Sequence, residues 1–567
     1  MRVFLAALLS CAMTPGSAAT FTPSDDAQSA DMRTRAEITN YEHTSTSDDV
    51  VRVIKGLAAT SPLVHTESFG KTEEGRDLPL MVISDPKVTT PAAARKLGRP
   101  LVFVQANIHA GEVEGKEAML MLARRIVSGD LKPMSRQLVF LIAPNYNADG
   151  NEKVTPMNRS AQNGPVGGVG TRENSKGLDL NRDYMKLDSA EARSLVGLMN
   201  KWDPHVAVDL HTTNGSYHAN HLTYSPILNP NADPRLIEFT RSRMLAPIRD
   251  AMLKNHNWRT YYYGNFAPED GGGRESSRVD PANPGNVTWR TFDHRPRFGN
   301  NYIGLRNRIA ILSEAYSYLD FKGRIEATED FVAEIYKNVA ANARQIMTLT
   351  AQADRVFTAP ANGAANSRTT KAVELGVDIS ISTTGEKVEI LVGDVTKVPN
   401  PKSGREMLAM APMAVPVAMK EYGTFTATRS LVVPRGWVIP KNAVDGKRLT
   451  TAIDRLRTHG IQIQEITSDA QLAVERFSIS DVTKAPKPFQ GHQETRLKGA
   501  YDRAQLTVSA GSLYIPANQP LARLAFYLVE PESDDGLVTW NYIEEGIAPG
   551  QTYPIYRVTG APPLKLK

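Results

Sequence analysis

The pattern of apolar positions divides the chain into a region of alternating strands and helices and a region of shorter strands. Between about residues 38 and 353, short apolar runs predict buried strands at 100–106, 137–143, 205–210 and 308–312. Segments with apolar residues at helical spacing predict helices at 115–128, 189–202, 234–256 and 328–353. Strands that alternate with helices are typical of an α/β fold. We therefore expect a mixed, largely parallel central sheet flanked by helices, with functional residues at the carboxyl ends of its strands.

A change of pattern after residue 353 predicts a second region. Residues 354–370 are rich in Ala, Asn and Pro and are interpreted as a linker. Beyond it, apolar runs between Pro and Gly turns predict a helix at 447–459 and strands at 387–392, 430–433, 505–509 and 524–529. We expect residues 38–353 to form the main domain and residues 371–567 a smaller β-rich accessory region of one or two subdomains.

The first residues carry the features of an export signal. Arg2 precedes the apolar run 3–11 and a small-residue site that ends at Ala19, as in a secretory signal peptide. We therefore expect residues 1–19 to be a signal peptide, residues 20–37 a flexible leader, and the protein to be exported, as a periplasmic or secreted protein. Two alternatives are lipoprotein anchoring at Cys11 and an ordinary buried N-terminal helix.

Composition excludes several function classes. The 567 residues include 66 Lys and Arg against 61 Asp and Glu, a net charge of +5 without a sustained basic run, which argues against nucleic acid as a partner. After the N-terminus, no apolar stretch approaches the roughly 20 residues of a transmembrane helix. Cys11 is the only cysteine, so disulfides, cysteine zinc sites and cysteine nucleophiles are excluded from the folded body. Nothing here predicts the oligomeric state.

Two histidines and a glutamate stand where predicted strands end. His109 and Glu112 form the only His-x-x-Glu of the chain, at the turn after the first predicted strand, and His211 ends the third. A catalytic zinc takes three such nitrogen and oxygen ligands and leaves a fourth position to water. We therefore predict one Zn²⁺ per chain at these residues. His218 and His221 are alternative third ligands, and an exposed polar turn is the alternative for the His-x-x-Glu pair.

Two acidic residues lie close to these positions in the predicted sheet. Asp209 lies two residues before His211 and faces the same way, which predicts support of the histidine rather than ligation. Glu314 follows the fourth predicted strand, where a buried carboxylate needs a partner or a task. Beside a zinc site it can serve as general base and acid. The alternative is a buried ion pair with Arg306 or Arg308.

Polar residues between the second and third candidate ligands suit an anionic substrate. Asn181 offers amide donors, and Arg182 offers a planar fork that matches a carboxylate. Arg172 and Arg159 precede them in Gly- and Asn-rich loops. Cations beside an electrophilic metal indicate an anionic substrate end or an oxyanion to be stabilised. The alternative is a surface ion pair between Arg182 and Asp183.

In their order along the chain, these residues resemble the zinc carboxypeptidase family of carboxypeptidase A. The family shows His-x-x-Glu, Asn-Pro-Asp-Gly, Asp-Leu-Asn-Arg-Asn, a lone His and a catalytic Glu. The corresponding positions are His109 with Glu112, residues 147–150, residues 179–183, His211 and Glu314. Residues 68–76 also resemble the early Gly-Lys-Ser-x-Glu-Gly-Arg segment of the family. Each motif is weak alone, but the ordered series is specific, and it covers about residues 38–353.

The resemblance implies a role for each matched residue. Zinc would be held by His109, Glu112 and His211. Glu314 would be the general base and acid, and Asn181 and Arg182 would bind the terminal carboxylate of the substrate.

Two further roles rest on looser matches. Arg172 resembles the arginine that polarises the scissile carbonyl, but Arg159 in the same loop is an alternative. Tyr302 is the nearest counterpart of the mobile tyrosine that caps the substrate. The Gly- and Pro-rich stretch 264–301 departs from the digestive enzymes, so the resemblance implies no side-chain preference.

These observations favour an exported zinc metallocarboxypeptidase whose partner is a peptide or amide substrate with a free C-terminal carboxylate. A zinc-dependent amidase acting on cell-wall peptides or acylated amino acids is the first alternative. A non-catalytic peptide- or glycan-binding protein is the second, and it is disfavoured because all three ligands and Glu314 are present. Residues 489–492 and the acidic stretch 530–535 are expected to close a β-sandwich, and the alternative is that they line a substrate entrance.

Overall fold

The computed structural model describes residues 32–213, 215–269, 277–358, 372–383, 385–446, 449–560 and 564–567. The predicted signal peptide with Cys11, the leader up to residue 31 and residues 359–371 lie outside the described residues. Within the described ranges, no helix combines the length and apolar character that a membrane crossing requires.

The first part of the chain builds a layered α/β structure around one large sheet. Its strands are β1 (Val64–Lys71), β2 (Asp77–Ile83), β3 (Leu101–Ala106), β4 (Val139–Ala143), β5 (Val206–Thr213), β6 (Leu222–Ser225), β7 (Thr260–Tyr262), β8 (Asn265–Pro268), β9 (Val287–Arg290) and β10 (Ile309–Tyr316). Eight of them form a mixed sheet in the order β1-β2-β4-β3-β5-β10-β6-β7. The central strands β4, β3, β5 and β10 run parallel, and β2 and β6 flank them in the antiparallel sense. The predicted fold class is confirmed.

Continuous apolar sequence explains why the four predicted strands occupy the centre of this sheet. Every residue of β3, β4 and β5 is buried. Parallel strands covered by helices on both faces have no solvated side, so they read as unbroken apolar runs rather than alternating ones. A polar residue at the end of such a strand is therefore conspicuous in the sequence.

Helices cover the sheet and differ from the prediction mainly at their ends. They are α1 (Arg35–Ile38), α2 (Ser47–Thr60), α3 (Pro91–Lys96), α4 (Glu114–Ser128), α5 (Ala148–Asn151), α6 (Ala190–Trp202), α7 (Pro234–Phe239), α8 (Ala246–His256), α9 (Gly299–Leu305), α10 (Phe321–Ala341) and α11 (Ala343–Thr358). A π-helical turn, Thr240–Leu245, joins α7 to α8 within the predicted helix 234–256. The predicted helix 328–353 is two helices that meet at Asn342, and α11 continues into the predicted linker. The helical turn α1 lies in the predicted leader.

The remaining chain is rich in strands. These are β11 (Glu374–Ser382), β12 (Lys387–Val392), β13 (Val395–Pro399), β14 (Glu406–Met410), β15 (Val415–Tyr422), β16 (Thr424–Val432), β17 (Gly436–Ile439), β18 (Gln464–Glu465), β19 (Ala470–Lys484), β20 (Thr495–Val508), β21 (Leu513–Pro516) and β22 (Tyr556–Val558). The helices are α12 (Lys441–Asp445), α13 (Thr450–Thr458) and α14 (Ala522–Val529). The predicted strand 524–529 is wrong, because these residues lie in α14. Every residue of α14 is buried, and a fully buried apolar run has the same pattern in a helix as in a strand.

The two parts of the chain share a sheet and a core. One four-stranded sheet has the order β12-β15-β9-β8, and in it β15 pairs in parallel with β9 of the first part. The largest apolar cluster also contains buried side chains from both parts, such as Phe103 and Trp437. The β-rich region therefore packs directly on the α/β region.

A buried carboxylate joins the edge of the large sheet to α6. Glu67 of β1 accepts hydrogen bonds from Lys201 Nζ at 2.9 and 3.0 Å and from Trp202 Nε1 at 2.8 Å. Burial by itself would raise the pKa of Glu67, but hydrogen bonds from His65, Trp202 and Lys201 outweigh burial and lower the pKa to about 2. The ionised carboxylate therefore stabilises the contact between β1 and α6.

Replacing Glu67 with Gln is expected to lower the free energy of unfolding by about 2 kcal/mol at pH 7, since the amide cannot accept the same charged hydrogen bonds. The pKa is lower in the folded than in the unfolded chain. The contribution is therefore complete above pH 4.5, the ordinary value, and is lost as the pH falls toward 2. Urea unfolding at pH 7 and pH 3 measures it, and the difference between wild type and variant should shrink at pH 3. Glu406→Gln, which breaks the exposed pair with Lys397, should cost much less, because solvent screens a pair on the surface. An equal loss in both variants would contradict the assignment.

Candidate active site

Three neighbouring strands bring the predicted chemistry to one edge of the sheet. Ala106 at the end of β3 is in register with Leu210 of β5, and His211 is in register with Glu314 of β10. His109 lies in the turn just after β3. These strands run parallel, so their carboxyl ends meet at the same edge.

The turn that carries His109 is shaped by close contacts. Asn147 Nδ2 donates to the carbonyl oxygens of Ile108 and Arg172, which fixes the turn from below. A Cβ at Gly111 would lie 2.6 Å from Cδ of Arg159, so only glycine leaves room for that arginine. The glycine at this position therefore provides the space that the side chain of Arg159 occupies.

Three donor atoms converge in the interior. Nδ1 of His109 lies 3.1 Å from Oε1 of Glu112, and Nδ1 of His211 lies 2.9 Å from Oε2 of the same carboxylate. The two Nδ1 atoms are 3.2 Å apart. All three residues are buried, and one donor atom from each lies within 4.8 Å of the others. We call His109, Glu112 and His211 the donor cluster.

The donor cluster fits a divalent cation. Two imidazole nitrogens that face each other at this distance cannot both carry a proton, and a carboxylate held between them adds a third lone pair. Two nitrogens and one oxygen with space for a further ligand are the set that a catalytic zinc takes. Within the described ranges, the donor cluster is the group of three or more His, Cys, Asp or Glu side chains that lie close enough together to hold a metal ion.

Two aspartates hold the other ring nitrogen of each histidine. Nε2 of His109 lies 3.1 Å from Asp179 Oδ1, and Nε2 of His211 lies 3.0 Å from Asp209 Oδ2. A carboxylate on Nε2 keeps the proton there and leaves the Nδ1 lone pair for a metal. Support from Asp209 is the role that the sequence predicts. The contact of Asp179 with His109 was not predicted from the sequence, although Asp179 lies within the 179–183 motif that resembles the family.

The two candidate arginines flank the donor cluster from different sides. Arg159 Nη1 donates to Glu112 Oε1 at 3.0 Å, and its Nη2 donates to the carbonyl of Thr212. Arg172 binds Asp179 through Nε and Nη2 at 3.0 and 2.8 Å, and its Nη1 lies 3.3 Å from Nδ1 of His109. Both guanidinium groups are next to the cluster, so the structure keeps both alternatives for the carbonyl-polarising residue.

Glu314 has no hydrogen-bond partner among the described residues. Its alternative partners are committed elsewhere, since Arg306 binds Asn200 and Arg308 binds Asp203 and Asp354. Burial raises the pKa of Glu314 to about 8, and the nearby Glu112 carboxylate adds to the rise. A cation in the donor cluster would lower this pKa, because it favours the charged form. The ion-pair alternative for Glu314 is therefore wrong.

Asn181 and Arg182 lie on a short helical turn, Leu180–Arg182, beside the cluster. Asn181 accepts from the backbone N–H of Gly299 at 3.1 Å. Arg182 donates to the carbonyl of Asn181, and its Cζ lies 3.9 Å from the ring centre of Phe298. Burial lowers the pKa of Arg182, and the nearby cations Arg172 and Arg297 lower it further.

The proposed surface pair between Arg182 and Asp183 does not form. Asp183 instead binds Lys186 Nζ at 2.9 Å and both the N–H and the hydroxyl of Ser189. In the described part of the chain no carboxylate pairs with Arg182. Its guanidinium is therefore free for an anion from outside.

Tyr302 is not brought to the site. It is fully buried, and its hydroxyl lies 2.9 Å from Nδ1 of His459, in the β-rich region. A side chain held in this way cannot swing over a substrate, so the interpretation of Tyr302 as a cap is wrong. A sequence pattern cannot distinguish an exposed tyrosine from one that anchors a helix.

The two alternative histidines also lie apart from the donor cluster. The ring of His218 packs on Tyr316, and burial lowers its pKa to about 3. Nδ1 of His221 accepts from the backbone N–H of Arg259 at 3.0 Å. Both rings are therefore engaged by neighbours away from the metal donors.

The early motif supports the site from the hairpin of β1 and β2. Asp149 accepts from Thr72 Oγ1 at 2.7 Å and from Arg76 Nη1 at 2.6 Å. Two segments that resemble the family are thus joined by one buried carboxylate.

Comparison with known proteins shows what this chain is similar to. Residues 50–214 match the family model described as zinc carboxypeptidase. Carboxypeptidase 2 of Trichophyton tonsurans is 22% identical over 512 residues, which cover 87% of this chain and 82% of that protein. Carboxypeptidase Z of Mus musculus is 33% identical over 147 residues, which cover 25% of this chain and 21% of that protein. The matched residues 50–214 thus resemble the predicted zinc carboxypeptidase family, and its zinc cofactor agrees with the donor cluster.

Solved structures show a more distant likeness. Carboxypeptidase A from Helicoverpa armigera aligns over 54% of this chain and 75% of its own, with 14% identity and a TM-score of 0.38. A metallo-carboxypeptidase from Burkholderia cenocepacia aligns over 53% of this chain and 70% of its own, with 16% identity and a TM-score of 0.36. At these TM-scores the likeness carries no weight for the activity.

Replacing Asp179 with Asn is expected to weaken zinc binding by about 10- to 100-fold, because His109 loses the carboxylate that orients it. Competition with a chelator, read as zinc retained per chain, measures the effect. Glu173→Gln is the matched control, since Glu173 lies exposed in the same loop, and it should bind zinc like the wild type. Equal zinc affinity in Asp179→Asn and the control would contradict the role given to Asp179.

Proposed function

We propose that this chain, whose residues 50–214 match the zinc carboxypeptidase model, is a zinc metallocarboxypeptidase that hydrolyses C-terminal peptide bonds with Glu314 as general base and acid. One observation carries the proposal. An uncommitted carboxylate, Glu314, and an uncommitted guanidinium, Arg182, flank a single cluster of metal donors. A carboxypeptidase needs a proton acceptor for the attacking water on one side of its metal ion. On the other side it needs a cation that binds the terminal carboxylate of the substrate.

Glu314 carries out both proton transfers of the proposed reaction. When bound at His109, Glu112 and His211, zinc supplies a Lewis acid that polarises the scissile carbonyl and lowers the pKa of water. Glu314 takes one proton from the attacking water as the oxygen bonds to the carbonyl carbon. It then delivers this proton to the leaving nitrogen as the C–N bond breaks. The absence of a fixed hydrogen bond to Glu314 leaves its oxygens free for both transfers.

The substrate end is held on the other side. Arg182 presents two or more N–H donors to a terminal carboxylate, and the ring of Phe298 beneath the planar guanidinium holds it in place. Asn181 precedes Arg182 on the same short helical turn, and its Nδ2 lies 3.4 Å from Nε2 of His211. Arg159 or Arg172 stabilises the oxygen that becomes negative during attack.

Export is part of the proposal. Its support is the signal-like pattern of residues 1–19, with cleavage after Ala19 or nearby. N-terminal sequencing of the mature protein from its producing cell tests this point separately from the activity.

Glu314→Gln is expected to lower kcat/KM for an N-acylated dipeptide by about 10³-fold, since the amide cannot accept the water proton. Zinc per chain should stay at the wild-type level, because Glu314 is not one of the donors. Hydrolysis rates and metal analysis on the same samples measure both. Activity within tenfold of the wild type, with zinc bound, would exclude Glu314 as the base.

Amidation of the substrate C-terminus is expected to lower wild-type kcat/KM by about 100-fold, because Arg182 loses its anionic partner. Arg182→Gln should lose a similar factor on the free acid, mostly through KM, and little on the amide. Arg136→Gln, at an exposed arginine paired with Asp85, is the control. It should prefer the free-acid substrate over the amidated one to the same extent as the wild type. Equal cleavage of acid and amide by the wild type would favour the amidase alternative.

A further inference from the structure

We propose that the β-rich region after residue 371 positions the substrate-binding arginine of the active site. It does so by holding two segments that lie next to Asn181 and Arg182, and we call the two sets of contacts that hold them the clamps. The inference rests on the proposed role of Arg182 and adds a function for a region that the activity does not otherwise use. We call residues 292–298 the platform loop and residues 183–189 the following segment.

The platform loop is held by a buried ionic network. Asp535 accepts from the backbone N–H of Arg297 at 2.6 Å and from its Nε at 2.9 Å. Glu494 accepts from Arg297 Nη1 at 2.6 Å. The side chains of Arg297 and Asp535 are only 4% and 0% exposed, so their geometry is fixed by burial as well as by charge. Asp534 adds a contact to His294 at 3.0 Å.

The platform loop ends at the residues that meet Asn181 and Arg182. Phe298 follows Arg297 directly and carries the guanidinium of Arg182 on its ring. The next residue, Gly299, donates its N–H to Oδ1 of Asn181. A displacement of Arg297 therefore reaches both proposed carboxylate-binding residues through one or two peptide units.

The following segment is held independently. Asp188 accepts from Tyr542 Oη at 2.5 Å and from His492 Nε2 at 2.8 Å. Tyr542 Oη also lies 3.0 Å from the carbonyl oxygen of Lys186, and His459 Nε2 lies 3.2 Å from the carbonyl oxygen of Met185. The chain just after Arg182 is thus fixed by the same region that fixes the platform loop.

This arrangement predicts a specific kinetic signature. The clamps end on residues beside Arg182, whereas the donor cluster and Glu314 stand on strands of the large sheet. Loosening a clamp should weaken binding of the terminal carboxylate equally in the ground state and in the transition state. Such a change raises KM and leaves kcat unchanged. A merely structural role would instead lower the amount of active enzyme and reduce kcat.

The test is Asp535→Asn in the full-length zinc enzyme, which removes the charge but keeps the shape. We expect KM for a free-acid peptide to rise about 10-fold, kcat to stay within about twofold and zinc content to be unchanged. Asp502→Asn is the matched control in the same region, because it breaks the exposed pair with Arg476 away from both clamps. The control should match the wild type. An unchanged KM in Asp535→Asn, or a fall in kcat alone, would overturn the proposal.

A double-mutant comparison separates this inference from the proposed function. In an Arg182→Gln background, Asp535→Asn should add no further rise in KM, since its effect passes through Arg182. If Arg182→Gln itself leaves KM for the free acid unchanged, the proposed carboxylate binding fails. If Arg182→Gln raises KM and Asp535→Asn does not, only the positioning role fails.

Tyr542→Phe covers the case in which Asp535→Asn does not fold. It removes one hydroxyl from the second clamp and leaves the ring in place. We expect KM to rise about threefold with kcat unchanged. Wild-type KM in this folded variant would overturn the role of the following segment.

Discussion

Two imidazole nitrogens 3.2 Å apart, both turned toward one buried carboxylate, set the constraint on which the rest of the site depends. Four carboxylates surround the site: Glu112, Asp179, Asp209 and Glu314. Two guanidinium groups, those of Arg159 and Arg172, face them. When the carboxylates are ionised and the imidazoles neutral, two negative charges remain, which a divalent cation balances. A substrate carboxylate would in turn balance Arg182.

The same constraint explains why much of the site could be predicted from sequence. A carboxylate or imidazole at the end of a fully apolar strand is costly without a partner, so His211 and Glu314 stand out in their strands. Parallel strands then bring their ends together without any knowledge of the loops. Three apolar runs and the order of the motifs were therefore enough to predict the donor cluster, which the geometry brings together.

The errors have a different physical origin. Whether Tyr302 is a mobile cap or an anchor depends on His459, far along the chain, and local sequence holds no record of that contact. Residues 524–529 form a helix because they are buried on every side, which removes the periodicity that distinguishes helix from strand. The role of Asp179 depends on which nitrogen of His109 faces the metal donors, a choice made by tertiary packing.

In the mechanism that we propose, catalysis and recognition depend on different parts of the chain. The donor cluster and Glu314 need rigid strands, because small shifts in their geometry change the chemistry most. Arg182 stands on a loop turn instead, and a loop needs support from outside to hold a charged group in place. Here that support comes from residues far along the chain, such as Tyr542, which lies 354 positions after its partner Asp188. A β-rich region that shares a sheet and a core with the α/β region can hold such loops, whereas a tethered module that packs on nothing could not.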